Sequence, residues 1–371
     1  MTLNITTANL SDGREIIYFD DRQHEPGERV LVDSRDLPKT HVTSEIRRDP
    51  FTGDWVAFAA HRMNRTFMPP ANENPLAPTQ PGQLPTEIPS PTYDVVVFEN
   101  RFPSFSMHVD ISGDWADHVD EMGLYPRKPA LARCEVVCFT EDPSVSFKDL
   151  PETRIRTVIE AWGHRTAALS ALPGVQQVFP FENRGEEIGV TLQHPHGQIY
   201  SYPFLSPRLR AIVNRAQEFE KEQGCELFSE ILAQEKAART RIVEETESFT
   251  VFVPAAAKWP MEVVVMPNRH VADFTELHDF EKRELAGLLS RLYKAVDKFF
   301  PGVERTPYIA GWTQAPVDPQ LRRYGRLHLQ LFSLMRSPNR MKFLAGSESS
   351  QGVWINDTTP ERIASRFKEL W

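Results

Sequence analysis

The spacing of apolar and polar positions divides the chain into short strands interrupted by two long amphipathic stretches. Glu15–Phe19, Asp54–Ala60, Tyr93–Phe98 (YDVVVF) and Glu135–Phe139 (EVVCF) read as strands. Pro151–Leu172 instead places Ile155, Val158, Ile159, Trp162, Ala167 and Leu169 at helical spacing. Two more strands follow, at Val175–Phe181 and Gly189–Tyr200. The same order then returns, with strands at Phe249–Val253 and Glu262–Met266, an amphipathic helix over Asp279–Phe300, and strands at Thr306–Gly311 and Arg326–Phe332. Residues 1–50 are mostly polar and irregular, and the proline-dense stretch 68–92 predicts a long ordered loop.

EVVCFTEDPSVSFKDL from Glu135 and EVVVMPNRHVADFTEL from Glu262 share a strand, a turn and a closing Phe-x-x-Leu. In each half a histidine-bearing strand follows the helix. An offset of about 130 residues predicts a duplicated α+β unit rather than a short-period solenoid. The expected halves are 1–205 and 206–371.

Composition adds exclusions. The 371 residues are 40% hydrophobic and 25% charged, with a formal net charge of −9. That sign speaks against nucleic-acid and anionic-membrane partners, although a few arginines in a cleft can still hold a phosphate. No apolar run approaches the length of a membrane span, and the first residues lack a basic-then-apolar leader pattern, so the expected location is cytoplasmic. Cys134, Cys138 and Cys225 make an odd set without a disulfide framework, and Cys134 and Cys138 read as core thiols.

The chemistry concentrates in GVTLQHPHGQIY, from Gly189 to Tyr200. On an extended chain His194 and His196 would face one side, and Pro195 keeps the preceding residue extended. A neutral imidazole is a competent nucleophile at phosphorus. Gly197 would open space for a ligand, and Gln198 can donate to a phosphate oxygen without adding charge. Two core or metal-binding histidines are the other reading of the same residues.

The wider stretch FENRGEEIGVTLQHPHGQIY resembles the signature of the galactose-1-phosphate uridylyltransferases, of the histidine-triad superfamily. RRDPFTGDWVAFAAHRMNR, VVFENRF, VPAAAKWPMEVVVMP and KFLAGSES extend the resemblance along the chain. It implies tandem histidine-triad-like units, each an antiparallel sheet with packed helices. It implies His196 as the nucleophile that becomes uridylylated, with His194 beside it and Gln198 and Thr191 on the phosphoryl oxygens. Asn183 and Gly185 would line the nucleophile loop, and Arg62 and Arg65 the nucleotide phosphates. Asn100 and Phe102 would hold uracil and ribose. Lys342, Phe343, Gly346 and Glu348 would reach the hexose phosphate, in the family often from the neighbouring subunit of a homodimer. Read alone, the two arginines also fit a solvated face, and Phe102 and Phe343 fit core positions. The implied reaction is ping-pong: UDP-glucose and galactose 1-phosphate give UDP-galactose and glucose 1-phosphate.

The chain departs from the family at its metal ligands. The Cys-x-x-Cys of the zinc site corresponds to Asn74-Pro-Leu-Ala77 and its distant histidine to Pro143, which leaves His194 alone. At a second site, for iron or zinc, Ile212, Thr313 and Gln330 replace ligands and only His328 survives. A single side chain does not hold a structural metal, so no metal or other cofactor is expected. Two other functions stay open at this point: a transferase or phosphorylase for ADP-sugars or dinucleotide polyphosphates, and a non-catalytic nucleotide-sugar binding protein.

Overall fold

The computed structural model describes residues 3–22, 29–39, 41–64, 73–111, 115–120 and 123–371. In chain order the elements are β1 (Asn4–Asn9), β2 (Glu15–Asp20), β3 (Glu45–Arg48), β4 (Trp55–Phe58), β5 (Val95–Glu99), β6 (Arg127–Pro129) and β7 (Cys134–Cys138). Then come α1 (Glu152–Ser170), β8 (Gln177–Arg184), β9 (His196–Tyr202), α2 (Pro207–Gln223) and α3 (Leu227–Ala238). They are followed by β10 (Ile242–Glu245), β11 (Phe249–Phe252), β12 (Met261–Pro267), α4 (Asp279–Lys298), β13 (Tyr308–Thr313), α5 (Pro319–Arg322) and β14 (His328–Ser333). The hairpin β15 (Met335–Ser337) and β16 (Arg340–Met341), α6 (Gly346–Gln351) and α7 (Pro360–Leu370) end the chain.

One eleven-stranded sheet carries the α+β fold, in the order β1-β2-β5-β7-β9-β8-β13-β14-β12-β11-β10. All its strand pairs are antiparallel. Read outward from the central β8–β13 pair, the two sides match strand for strand: β9 with β14, β7 with β12, β5 with β11, β2 with β10. β4, β3 and β6 form a separate three-stranded sheet.

Register corrects the sequence pairing of the two EVV stretches by one residue. Glu135 faces Ile199 and Val263 faces Leu331, at matching positions counted from His196 and His328. Glu135 therefore corresponds to Val263, and a one-residue slip sends a strand side chain to the opposite face. Glu135 meets Arg165 of α1 at 2.7 and 2.9 Å. Glu262, on the other face, accepts the Gln330 side-chain amide at 2.6 Å.

Helices α1 and α4 pack against each other and cover one face of the sheet. Their apolar stripes meet in an aromatic cluster, with Trp162 5.3 Å from Phe274 and 5.9 Å from Trp312, and Phe147 4.4 Å from Tyr293. Burial of each such ring contributes about 1.5–3 kcal/mol. The opposite face of the first half carries Phe179, Phe181, Tyr200 and Tyr202, with Phe181 5.2 Å from both Phe179 and Tyr200.

The strand expected over Gly189–Tyr200 begins only at His196. Before it, a 3-10 turn at Glu186–Ile188 is flanked by Gly185 (φ 114°) and Gly189 (φ 82°). A Cβ on Gly185 would also stand 2.6 Å from the Pro307 Cβ, so glycine is required there on two counts. Helices α2 and α3 lie where the sequence pattern gave no helix. α2 starts on Ser206, whose Oγ accepts the Leu209 N–H, with Pro207 in its first turn.

Candidate functional site

His196 opens β9 on the face away from α1 and α4, and with Leu192 it lines both of two cavities. One, of about 310 Å³, is lined by Arg62, Asn100, Phe102, Thr191, His196 and Gln198, with Leu76, Glu87 and Arg101. The other, of about 220 Å³, is lined by Asn183, Gly185, Glu186, Glu187, Gln193 and His196, and by Arg305, Thr306 and Pro307 of the second half. Nine expected residues (Arg62, Asn100, Phe102, Asn183, Gly185, Thr191, His194, His196 and Gln198) thus line the two cavities, with His196 in both.

The geometry around that imidazole is specific. His196 Nδ1 lies 2.8 Å from the main-chain oxygen of His194, so Nδ1–H donates to it and the lone pair sits on Nε2. Burial holds the His196 pKa below its ordinary 6.5, partly offset by this hydrogen bond. The ring is therefore neutral near pH 7. Gln198 follows two residues on along the same face, and among the described residues none takes its side-chain amide. Arg62 donates to the Phe102 carbonyl at 2.6 Å, which ties it to the wall of the larger cavity.

His194 also lines the smaller cavity, but it is not a strand position and its ring does not open into that space. Its ring is 3% exposed and is turned into the protein between Asn74 and Thr140. The reason is local: strand geometry starts two residues later, so alternation does not apply to it. Gly197 also differs from the expectation. A Cβ there would come within 2.8 Å of the Phe139 ring and of the Phe181 carbonyl, so the missing side chain accommodates the core and not a ligand.

Lys342, Phe343, Gly346 and Glu348 line neither cavity. Lys342 is buried and paired with Glu348 at 2.5 Å, and its ammonium also donates to the Ile355 carbonyl. Phe343 is 81% exposed beside a 42%-exposed Leu344. Arg65 lies outside the described residues. Sequence reasoning missed the contribution of Arg305–Pro307 from the second half; it follows from the β8–β13 pairing, which no local pattern announces.

The family's metal sites do not fit these residues. Both ring nitrogens of His194 are engaged by protein groups, Asn74 brings an amide where a thiolate would be needed, and His328 stands beside Thr313 in the sheet. Among the described residues no three His, Cys, Asp or Glu side chains converge as a metal-binding group. Among them, too, no helix is long and apolar enough to cross a membrane.

Comparison with known proteins bears on this site. Residues 34–206 match the family model "Galactose-1-phosphate uridyl transferase, N-terminal domain", and residues 213–371 match the corresponding C-terminal domain. A galactose-1-phosphate uridylyltransferase of Streptomyces lividans is 42% identical over 98% of this chain and 97% of its own length. A solved uridylyltransferase structure superposes with a TM-score of 0.76 at 32% identity, covering 88% of this chain and 98% of that one. An ADP-glucose phosphorylase of Arabidopsis thaliana, solved with ADP-glucose bound, shares the fold at a TM-score of 0.64 and 20% identity over 88% of this chain and 99% of that one.

Proposed function

Because this chain belongs to the galactose-1-phosphate uridyl transferase family, we propose that it moves a uridylyl group from UDP-glucose to galactose 1-phosphate through a covalent adduct on His196. The observation that carries this reading is the position of His196: a residue that lines two cavities and whose Nδ1 is tied to a carbonyl. In the first half-reaction the Nε2 lone pair attacks the α-phosphorus of UDP-glucose. The Nε2–P bond forms, the bond to the bridging oxygen breaks, and glucose 1-phosphate leaves with the electron pair. In the second, a phosphate oxygen of galactose 1-phosphate attacks the adduct, giving UDP-galactose and returning the lone pair to His196. That nucleophile is already ionised near neutral pH, so no strong general base is required.

Arg62 supplies positive charge for the phosphates in the larger cavity, and Gln198 and Thr191 donate to phosphoryl oxygens as charge builds at phosphorus. Asn100 and Phe102 receive the uridine. Asn183 and Gly185 face the smaller cavity, which suits the departing and arriving sugar phosphate. Lys342, Phe343, Gly346 and Glu348 line neither cavity beside His196, and the apolar surface around Phe343 is exposed. We read that segment as completing the site of a second copy in a homodimer. Free thiols at Cys134, Cys138 and Cys225 suit a reducing, cytoplasmic setting.

Intact-mass measurement after incubation with UDP-glucose alone tests the proposal. The protein gains one uridylyl group, H196A gains none, and H196A does not exchange sugar phosphates. A gain of an adenylyl group from ADP-glucose with none from UDP-glucose moves the reading to an adenine donor; exchange by H196A at the parent rate ends it.

A further inference from the structure

No chemical step above uses the ring of His194, yet both its nitrogens are occupied. Nδ1 lies 2.9 Å from Asn74 Nδ2, and Nε2 lies 2.7 Å from the Thr140 carbonyl oxygen. Asn74 Oδ1 accepts the Leu76 N–H at 3.0 Å, which turns the amide nitrogen toward the ring. An amide N–H offers no lone pair, so Nδ1 accepts and the ring proton sits on Nε2, aimed at Thr140. The Tyr93 hydroxyl oxygen is 2.8 Å from Nε2, 2.6 Å from the Thr140 carbonyl and 3.0 Å from the Leu76 carbonyl. Its proton goes to a carbonyl, and its oxygen shares the Nε2–H. The network accepts one form of the ring, neutral with Nε2–H. A proton on Nδ1 would face the Asn74 N–H donor to donor.

The main chain of this same residue accepts from His196 Nδ1 at 2.8 Å. Pro195 restricts the peptide between them, so the direction of the His194 carbonyl follows from how its side chain is anchored. We infer that Asn74 and Tyr93 are positioning residues for the nucleophile: they hold His194 as a neutral strut whose carbonyl keeps the His196 proton on Nδ1 and the lone pair on Nε2, with no metal at the strut. This rests on the covalent role of His196. Three segments far apart in sequence supply the clamp: the proline-rich loop (Asn74), the residues leading into β5 (Tyr93) and the end of β7 (Thr140).

The charged and titratable groups facing the ring are Asp142 from the turn after β7, His196 from β9 and Tyr93, with Cys138 and Glu141 behind Tyr93. Burial dominates and pushes the His194 pKa down to about 4, in line with a permanently neutral ring.

Nitrogen-15 spectra of the histidine rings in the full-length protein test the clamp directly. At pH 7 the wild type shows His194 protonated on Nε2 alone and His196 on Nδ1 alone. N74D replaces the amide donor with a carboxylate and draws a proton onto His194 Nδ1. The ring then becomes an imidazolium, and labelling by UDP-glucose slows about 10- to 100-fold at pH 7, as for other changes to groups that orient a reacting ligand. The rate recovers as pH rises and the extra proton is lost, a dependence that a folding defect alone would not produce. A wild-type His194 carrying a proton on Nδ1 overturns the clamp with no variant needed, as does stoichiometric metal in the native protein. Equal labelling of wild type and N74D from pH 6 to 9 also overturns it. Absence of any labelling of the wild type instead ends the covalent reading, while the ring spectra still decide the clamp.

Discussion

Glu182 is a buried carboxyl at the sheet centre, one residue before Asn183, and its replacement by glutamine separates the cost of its charge from its packing. The side chain is 6% exposed and accepts the Tyr308 O–H at 2.8 Å. Burial pushes its pKa up from 4.5 to about 7, with the Tyr308 hydrogen bond and Arg184 pulling the other way. Because the folded state holds the proton more tightly than the unfolded chain, stability is complete below pH 4.5 and is lost as pH rises through 7. A shift from 4.5 to about 7, at 1.36 kcal/mol per pH unit, corresponds to about 3 kcal/mol at pH 8 and less than about 1 kcal/mol at pH 5. Glutamine mimics the protonated form and keeps the acceptor for Tyr308. E182Q is therefore expected to match the wild type at pH 5 and to exceed its stability at pH 8 by about that 3 kcal/mol. Urea unfolding followed by tryptophan fluorescence at both pH values measures the difference. Parallel stability curves across this range would refute the reasoning, because they require Glu182 to titrate equally in the folded and unfolded chains.

Other expectations follow from the same contacts. Gly197→Ala places a Cβ 2.8 Å from the Phe139 ring and the Phe181 carbonyl; strain of this kind costs about 1–3 kcal/mol. Displacing His196 and Gln198 with their strand lowers labelling by UDP-glucose at least about 10-fold, so unchanged unfolding and labelling sink this account. Glu135→Ala removes the carboxylate that Arg165 and Arg133 share and leaves buried Arg165 only the more distant Glu15, 3.7 Å away, at a cost of about 3–5 kcal/mol in a denaturation assay; a loss below about 1 kcal/mol means the pair is solvated. Since burial lowers the His196 pKa below 6.5, the labelling rate stays level from pH 7 to 9 and falls only on the acid side of 6.5. An acid limb centred above pH 7 contradicts a neutral, desolvated nucleophile.

Strands and the two core helices were legible because their apolar periods are strong. Tyr93–Phe98 and Glu135–Phe139 each fall within two residues of β5 and β7, and the helix over Pro151–Leu172 corresponds to α1. The His-Pro-His loop was legible as a cluster of residue types, but not the point at which its strand begins. That point decides that His194 turns inward while His196 faces the cavities. Contacts between distant segments left no local trace: Arg305–Pro307 reach the smaller cavity only through the β8–β13 pairing, and the Asn74 amide meets His194 across 120 residues. The α2–α3 pair escaped because α2 is largely polar along PRLRAIVNRAQEFEKEQ and buries only Leu209, Val213 and Ala216.

That overlooked pair sets the two halves of the sheet apart at their matching histidines. His196-Gly-Gln-Ile-Tyr-Ser and His328-Leu-Gln-Leu-Phe-Ser occupy matching strands, and in both the histidine Nδ1 donates to the carbonyl two residues back at 2.8 Å. Tautomer and strand geometry are thus the same in both halves, and neither distinguishes them. What differs is access and the neighbours. Phe228 of α3 stands 6.3 Å from the His328 ring, which is 5% exposed. Gln330, the counterpart of Gln198, already donates to Glu262, a carboxylate at the position matching Cys134 of the first half. An incoming phosphate would meet a covered ring and a donor already committed, even though Arg208 and Arg326 bring positive charge to that ring. In the first half the same two side chains border open volume and Arg62, which is why the proposed function places the nucleophile where the helical insertion does not reach.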